Sequence, residues 1–312
     1  MKYDPETGKP IIEISHSGLN TFASCPRLYA FRKIIETGID DRGDSDATAV
    51  GTAMHEGIQT YMKTRNIDAA VEALALHHPI ALRNNSKAGA YSLPASVHTL
   101  QRCIEESDLN SYELATFLKD GVEHPAVEIA FLVIIEMEHA IFHLRGFIDL
   151  IVRSIFRGNY LPIDIKTTTE SNHDVLRAKY KWDWQVTSYG VPLNILLGVT
   201  GGFETGILNV CMSDKDPSFS LPTYARGEVD VAAYEYYLFD NCRRIQTYLV
   251  DEHFPRNPSN CKQWNRMCSF HAHCGANTIE DMQMLVNPSG MPGDKIERKF
   301  EPMFTIKLSG VE

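Results

Sequence analysis

Between residues 127 and 168 the chain is dominated by β-branched and aromatic residues. They fall in three consecutive stretches, Val127 to Ile135, Ala140 to Val152 and Tyr160 to Thr168, whose connections are too short for a helix. Strands joined so tightly pair antiparallel, so this region is expected to form a meander. On either side the apolar residues recur at helical spacing. Leu19, Phe22, Leu28, Tyr29 and Ile35 do so near the start, with Ser15 or Ser17 free to cap and Pro26 expected to open a new turn after Cys25. Met54, Ile58, Tyr61 and Met62 begin a second helical region, expected to run to about Leu118 with breaks at Pro79 and Pro94. Beyond the meander we expect a helix from Val175 or Asp183 to Leu197, a strand from Phe203 to Met212 and a long helix from Val229 to about Val250. This order predicts an α/β (α+β) chain: a mixed central sheet with an antiparallel meander, flanked by helices.

The composition fits that expectation. With 312 residues, 44% hydrophobic and 22% charged, the chain can build one large domain or two small ones, which excludes disorder, collagen and coiled coil. Its longest apolar stretches, Ala126 to Ile135 and Val191 to Val199, fall short of the roughly 20 residues of a bilayer span, so no membrane crossing is expected. The start, Met1-Lys2-Tyr3-Asp4-Pro5-Glu6, is acidic and lacks an apolar core, which makes the cytoplasm the expected location. In that reducing compartment seven cysteines, an odd number, point to metal binding rather than disulfides. A net charge of -10 argues against a surface coated for nucleic acid, so any such contact needs a local basic patch. Part of that charge lies in the run Asp40 to Asp46, read as a solvated loop. The segment Phe254 to Ala276 is rich in Cys, His, Asn and Pro and has no periodicity, so it cannot bury a core unaided. After it come a turn-rich stretch through Asn287 to Gly293 and a strand-like one from Lys295 to Lys307.

The chemistry is concentrated in the meander. In Leu161-Pro162-Ile163-Asp164-Ile165-Lys166-Thr167 the period of two puts Asp164 and Lys166 on one face and Ile163 and Ile165 on the other. One strand earlier, Arg145-Gly146-Phe147-Ile148-Asp149-Leu150 carries a second carboxylate among apolar residues. A buried carboxylate is costly unless paired or bound to a cation, so two on neighbouring strands suggest a shared divalent ion. Phosphodiester hydrolysis needs such a set, with an ammonium to stabilise the developing charge or the nucleophile. The bland alternative is a surface hairpin with an Asp-Lys ion pair. Gln185 and Tyr189, four residues apart on a helix face, add a polar pair, and His55 in Gly51-Thr52-Ala53-Met54-His55 could supply a third ligand.

These motifs together resemble the RecB-type branch of the PD-(D/E)XK nucleases from about Ile14 to Cys274. Ser15 to Tyr29 is similar to that family's S-x-S-x-L-x-x-F-x-x-C-P-x-x-Y entrance, and Gly51 to His55 to its G-x-x-x-H helix. Gly146 to Asp149, Asp164 to Lys166 and Gln185 to Tyr189 resemble its G-x-x-D, D-x-K and Q-x-x-x-Y elements, in the family's order. The resemblance implies a restriction-endonuclease-like core in which His55, Asp149, Asp164 and the main-chain carbonyl of Ile165 bind Mg²⁺ or Mn²⁺. Lys166 would be the catalytic lysine, and Gln185 and Tyr189 would position DNA. Glu128 stands where relatives often carry a glutamate and is a candidate outer ligand. Cys25 with Cys261-x6-Cys268-x5-Cys274 is similar to the AddB-like layout that ligates a [4Fe-4S] cluster, tying the C-terminal segment to the N-terminal helix. The middle spacing is longer than the usual C-x2-C, so Zn²⁺ held by Cys261, Cys268, Cys274 and His271 or His273 is the alternative. Cys103, Cys211 and Cys242 read as core hydrophobes.

The nuclease domain is expected over 1–279, with 280–312 as a tail. The expected activity is exonucleolytic, on single-stranded DNA or strand ends, in recombination, repair or DNA degradation. A structure-specific or nonspecific endonuclease with the same site, and a non-catalytic nucleic-acid-binding scaffold that keeps the fold and metal cluster, are the alternatives. Candidate contacts to the strand are Arg27, Arg32, Lys33, Lys179, Lys181, Arg243, Arg244, Lys262 and Arg266, with Trp182, Trp184 and Trp264 for stacking. The sequence has no Walker A motif, so unwinding would fall to a helicase, a recombinase or pre-opened DNA. The small motorless chain suggests a phage or mobile element, which would place it in the host cytoplasm.

Overall fold

The computed structural model describes residues 2–35, 46–83, 85–190, 192–193, 202–263, 266–276, 278–286 and 300–309. Most of the acidic run, the end of the helix expected to reach Leu197, the turn-rich stretch through Gly293, residues 295–299 and Trp264 lie outside them. The chain opens with β1 (Lys2–Tyr3), β2 (Pro10–Ile14), α1 (His16–Ser24) and α2 (Pro26–Tyr29), and continues through α3 (Asp46–Thr64), α4 (Ile67–His77), α5 (Ile80–Arg83) and α6 (Leu93–Glu106). Six strands follow: β3 (Tyr112–Leu114), β4 (Thr116–Lys119), β5 (Val122–Pro125), β6 (Val127–Glu136), β7 (Ile141–Ser154) and β8 (Tyr160–Thr168). Then come α7 (His173–Lys181), α8 (Trp184–Ser188), β9 (Phe203–Cys211), β10 (Ser218–Ser220), β11 (Thr223–Arg226) and α9 (Glu228–Val250). The C-terminal part adds β12 (Lys262–Gln263), β13 (Arg266–Met267), α10 (Ile279–Val286) and β14 (Phe304–Ser309). This is the mixed, helix-flanked sheet expected from the sequence, and β6, β7 and β8 pair in succession. The chain divides into two compact units, residues 44–129 with 147–232, and residues 1–43 with 130–146 and 233–312.

In the first of these units β8 is the pivot. It runs antiparallel to β7, from Leu150↔Ile163 to Arg153↔Tyr160, and parallel to β9, from Ile163↔Gly206 to Thr168↔Cys211. A parallel neighbour needs a crossover, which the segment containing α7 and α8 supplies. Strand alternation then sorts the side chains. Leu161, Ile163 and Ile165 join Leu150, Val152, Leu208 and Val210 in one buried cluster with Val50, Met54, Ile58, Leu74 and Leu100 of the helices. Each such fully buried aliphatic side chain contributes roughly 1.5–3 kcal/mol. On the other face, Ile207 and Cys211 pack with Leu176, Tyr180, Val186 and Tyr224. Asp164 and Lys166 share that face by parity, so the functional row is set beside a small apolar cluster rather than over the main core.

One expectation needs correction here. The helical region does not reach Leu118: Tyr112–Leu114 is a strand antiparallel to the end of β7, and Thr116–Lys119 forms a hairpin with Val122–Pro125. The backbone groups at the end of β7 require a partner, and β3 provides it. The break expected at Pro94 is present, with the preceding 3₁₀ turn ending at Tyr91 and α6 starting at Leu93. Pro94 sits in the first turn of α6, where a missing N–H costs no bond, and Ser92 caps that turn by accepting from the Ala95 N–H.

In the second unit β2 lies parallel to the first part of β7, from Ile11↔Ile141 to Ile14↔Leu144, and β14 lies parallel to β6, from Phe304↔Phe131 to Ser309↔Glu136. Gly146 is required by packing, because a Cβ there would stand 2.1 Å from the Phe131 ring. Between α1 and α2 the chain straightens at Cys25 (φ -158°, ψ 107°), and Pro26 opens the next helix as expected.

Candidate active site and cysteine cluster

The ladder between β7 and β8 reaches Leu150↔Ile163, and one step further a side chain takes over. Asp149 Oδ2 accepts the Ile165 N–H at 2.7 Å. The carboxylate is therefore fixed by the backbone of the neighbouring strand. His55 approaches from α3, its Nδ1 3.6 Å from Asp149 Oδ2. The Gly51 motif explains how α3 gets so close to β8, since a Cβ on Gly51 would stand 2.7 Å from Thr167 Oγ1.

Asp164 is only 3% exposed, and its two oxygens are used differently. Oδ1 accepts from Tyr189 Oη at 2.6 Å and from Gln185 Nε2 at 3.0 Å, and Gln185 Nε2 also lies 2.8 Å from Tyr189 Oη. Oδ2 is buried with no hydrogen bond of good geometry and faces the Lys166 ammonium at 2.7 Å as an ion pair. The helix bearing Gln185 is held in turn by Arg226, whose Nε donates to Thr187 Oγ1 and whose Nη2 donates to the Lys181 carbonyl, both at 2.9 Å.

The electrostatics follow from this crowding. Burial, and then the nearby negative charge of Asp164, push the Asp149 carboxyl up to about 6, against the opposing pull of His55, the Ile165 N–H and Lys166. Burial pulls Lys166 down, but Asp164 first, then Asp149 and Tyr180, outweigh it and hold the ammonium above its ordinary value. Burial and the two carboxylates raise the Tyr189 hydroxyl far above its usual range, so it stays a donor.

Because Asp149 titrates higher in the fold than in the unfolded chain, its stabilising effect is complete below the ordinary carboxylate range and is lost as pH rises through about 6. Metal-free protein is therefore expected to melt at a lower temperature at pH 7.5 than at pH 5.5. In Asp149→Asn that part of the pH dependence disappears, as thermal denaturation across the range will show.

The sequence-predicted residues His55, Asp149, Asp164, Lys166, Gln185 and Tyr189 thus share one neighbourhood, with Ile165 contributing its N–H. Among the described residues, no three His, Cys, Asp or Glu side chains converge into a ready metal-holding group. The donor chemistry nevertheless suits a hard divalent ion: two carboxylates, one with an oxygen lacking a hydrogen bond and one that burial and the neighbouring Asp164 charge hold back from ionising, beside an imidazole.

Three other residues near the site were not singled out in the sequence. Tyr180 is buried and acts on the Lys166 charge. Asn209, fully buried, lies across from Lys166 in the β8–β9 register, and a polar residue inside an otherwise apolar strand was the signal for it. Arg226 had no sequence signal. Glu128 holds a left-handed backbone (φ 48°) and accepts from Gln59 Nε2 at 3.4 Å, one turn beyond His55 on α3.

The second constellation lies in the other unit. Cys25, Cys261, Cys268 and Cys274 line one small cavity together with Leu28, Phe31 and Phe270. Burial pushes the Cys274 thiol up, the Arg27 guanidinium opposes this, and the neighbouring Cys25 and Cys261 thiols add to it. The four cysteines share this cavity without their side chains converging into a ready metal-holding group, and four Cys are the residue types that a cluster or a soft metal ion takes. The polypeptide ties around them are extensive. Arg27 donates to the carbonyls of Phe254 (2.8 Å), Cys274 (3.1 Å) and Ala276, and Asn257 and Asn260 both donate to the Ser24 carbonyl. Phe31 stacks on Phe270 with ring centroids 4.7 Å apart. Arg27 was expected to touch nucleic acid. At 2% exposure it is instead a buried clamp, because the aperiodic segment needs donors for its carbonyls. Cys103, Cys211 and Cys242 are buried among apolar residues, as expected.

Two neighbouring carboxylates, one buried and one partly buried, with an attendant ammonium have the donor chemistry of a cation site. Residues 13–275 match the PD-(D/E)XK nuclease superfamily, and the chain belongs to that superfamily. No curated protein matches it in sequence. Among solved structures it is similar to a "Putative exonuclease" from Eubacterium rectale, with 13% identity, a TM-score of 0.46, and coverage of 84% of this chain and 91% of that one. It is also similar to SSO0001, with 15% identity, a TM-score of 0.32, and coverage of 85% and 86%. No helix among the described residues is long and apolar enough to cross a membrane.

Proposed function

We propose that the chain is a Mg²⁺- or Mn²⁺-dependent deoxyribonuclease of the RecB-type branch. It acts exonucleolytically on single-stranded DNA or strand ends, in recombination, repair or DNA degradation. The observation that carries this reading is the Asp164 carboxylate, fixed through one oxygen by Gln185 and Tyr189 and paired through the other with Lys166, with Asp149 alongside. His55, Asp149, Asp164 and the Ile165 carbonyl would hold the ion, which when bound supplies Lewis acidity at the scissile phosphate. Lys166 keeps its proton and offers positive charge where negative charge develops in the transition state. Gln185 and Tyr189 hold Asp164 so that its second oxygen stays turned to the site.

A [4Fe-4S] cluster on Cys25, Cys261, Cys268 and Cys274 fastens the segment after α9 to the N-terminal helices, in a nuclease domain of residues 1–279 with 280–312 as a tail. The four-thiol cavity supports this, and Zn²⁺ is the alternative occupant. The chain works in the cytoplasm on strands opened by a helicase or a recombinase. End-labelled linear single-stranded DNA is expected to be degraded with Mg²⁺ or Mn²⁺ and spared when a chelator is added. Closed circular single strands should survive. Cutting of the circle would make the enzyme an endonuclease, and no degradation of either would overturn the reading.

A further inference from the structure

The connector between α7 and α8 carries the most unusual side chain near the site. Trp182 is 74% exposed, although a tryptophan ordinarily buries most of its large apolar surface. Hydrogen bonds hold the backbone around it. The Trp182 N–H donates to the Tyr180 carbonyl, and the Lys181 carbonyl accepts from Arg226 at 2.9 Å. The Asp183 N–H donates to the Tyr180 carbonyl at 3.2 Å, and the Asp183 carboxylate caps α8 by accepting the Gln185 N–H at 2.9 Å.

The connector is also bracketed by the site. Two residues before Trp182, Tyr180 packs with Ile207, the β9 residue paired with Asp164, and three residues after it, Gln185 donates to Asp164. At no more than about 3.6 Å per residue, the Trp182 backbone lies within about 11 Å of the Gln185 backbone. One cation stands at the ring and others precede it on α7. Lys181 Nζ stands 5.2 Å from its centroid, Lys179 is exposed one turn earlier with its Nζ 5.0 Å from the Tyr180 ring, and Arg177 precedes them on the same helix. An open aromatic ring on a rigid connector, flanked by ammonium groups, is the pairing that grips a single strand: the ring takes a base and the cations take phosphates.

From this we infer that Trp182 is a stacking platform for an unpaired nucleobase next to the scissile phosphate, with Lys181 and Lys179 receiving the flanking phosphates. This rests on the nuclease reading of the site and adds a substrate class to it: strands whose bases are free to leave the stack. Because the ring offers a π face and no base-edge donor pattern, it grips any base.

The test is binding of a fluorescein-labelled single-stranded oligonucleotide in a Lys166→Ala background, which removes turnover. Trp182→Ala is expected to weaken binding about tenfold or more, and Trp182→Phe to keep most of the affinity. With an oligonucleotide whose bases are replaced by abasic spacers, parent and Trp182→Ala should bind alike. A second measurement needs no alanine variant: the tryptophan fluorescence quenched by the normal strand should be largely lost in Trp182→Phe. The platform is overturned if Trp182→Ala binds the normal strand as tightly as the parent, if the abasic strand shows the same loss, or if Trp182→Phe quenches as fully as the parent. Should Lys166-intact protein cleave no DNA, the nuclease reading fails while these comparisons still decide the platform. Cleavage with unchanged Trp182 variants removes the platform alone.

Discussion

Replacing Asp164 by Asn is expected to reduce DNA degradation by about a thousandfold or more, the loss of roughly 4 kcal/mol of transition-state stabilisation. The side chain keeps its shape and can still accept from Tyr189 and Gln185, so circular dichroism and melting temperature should stay close to the parent's. What disappears is the charge that faces Lys166 and, under the proposed reading, helps hold the cation. Lys166→Ala should lose about a hundred- to a thousandfold for the complementary reason. The two losses are not expected to add, because the residues act as one unit. Initial rates on end-labelled single strands, at saturating Mg²⁺, decide the matter. An Asp164→Asn protein that degrades DNA at the parental rate would remove this site from the mechanism.

The second large effect concerns the cysteines. Protein purified without oxygen is expected to contain iron and acid-labile sulfide, and Cys274→Ser or Cys25→Ser should lose most of both. Among its described residues the segment from Phe254 to Ala276 forms two strands of two residues each and two 3₁₀ turns, so its order rests on its ties to the N-terminal helices and, under the proposed reading, on the cluster. Losing the cluster should cost stability on the order of 3–5 kcal/mol, read as a lower melting temperature. Cys242→Ser is the control, since Cys242 lies apart in an apolar core and its loss should leave the iron content unchanged. Zinc without iron would replace the cluster by the alternative occupant, and iron unaffected by Cys25→Ser would remove that residue from the ligand set.

Much of the fold and of the candidate site can be read from the sequence where local pattern and tertiary demand agree. The alternation that put Asp164 and Lys166 opposite Ile163 and Ile165 survives in the sheet because the apolar row has a helical layer to bury against. Gly51 and Gly146 look like motif letters in a sequence, and the structure gives each a steric reason in Thr167 and Phe131. Elements defined only by a distant partner are not legible in this way. β3 has three residues and exists because β7 is long enough to need a neighbour there, and β14 is a strand because β6 has an open edge. Arg27 and Arg226 carry the same residue type as a nucleic-acid contact, yet both are buried and spend their donors on carbonyls and a threonine hydroxyl. Composition cannot separate those two uses, since the difference lies in which backbone groups have been left without partners.

The bond from the Ile165 N–H to Asp149 has a practical bearing on genetics. A carboxylate that doubles as the next rung of a strand ladder ties inheritance of the chemistry to inheritance of the sheet. Alleles that shorten this side chain would fray β8 as well as silence the enzyme, and would score as null for a mixed cause. The asparagine allele is the clean one, because it keeps the acceptor oxygen and surrenders only the charge. If the proposed exonuclease activity holds, its expression beside the parental gene would yield an intact competitor that occupies strand ends without consuming them, a dominant inhibitor built from a single atom's exchange.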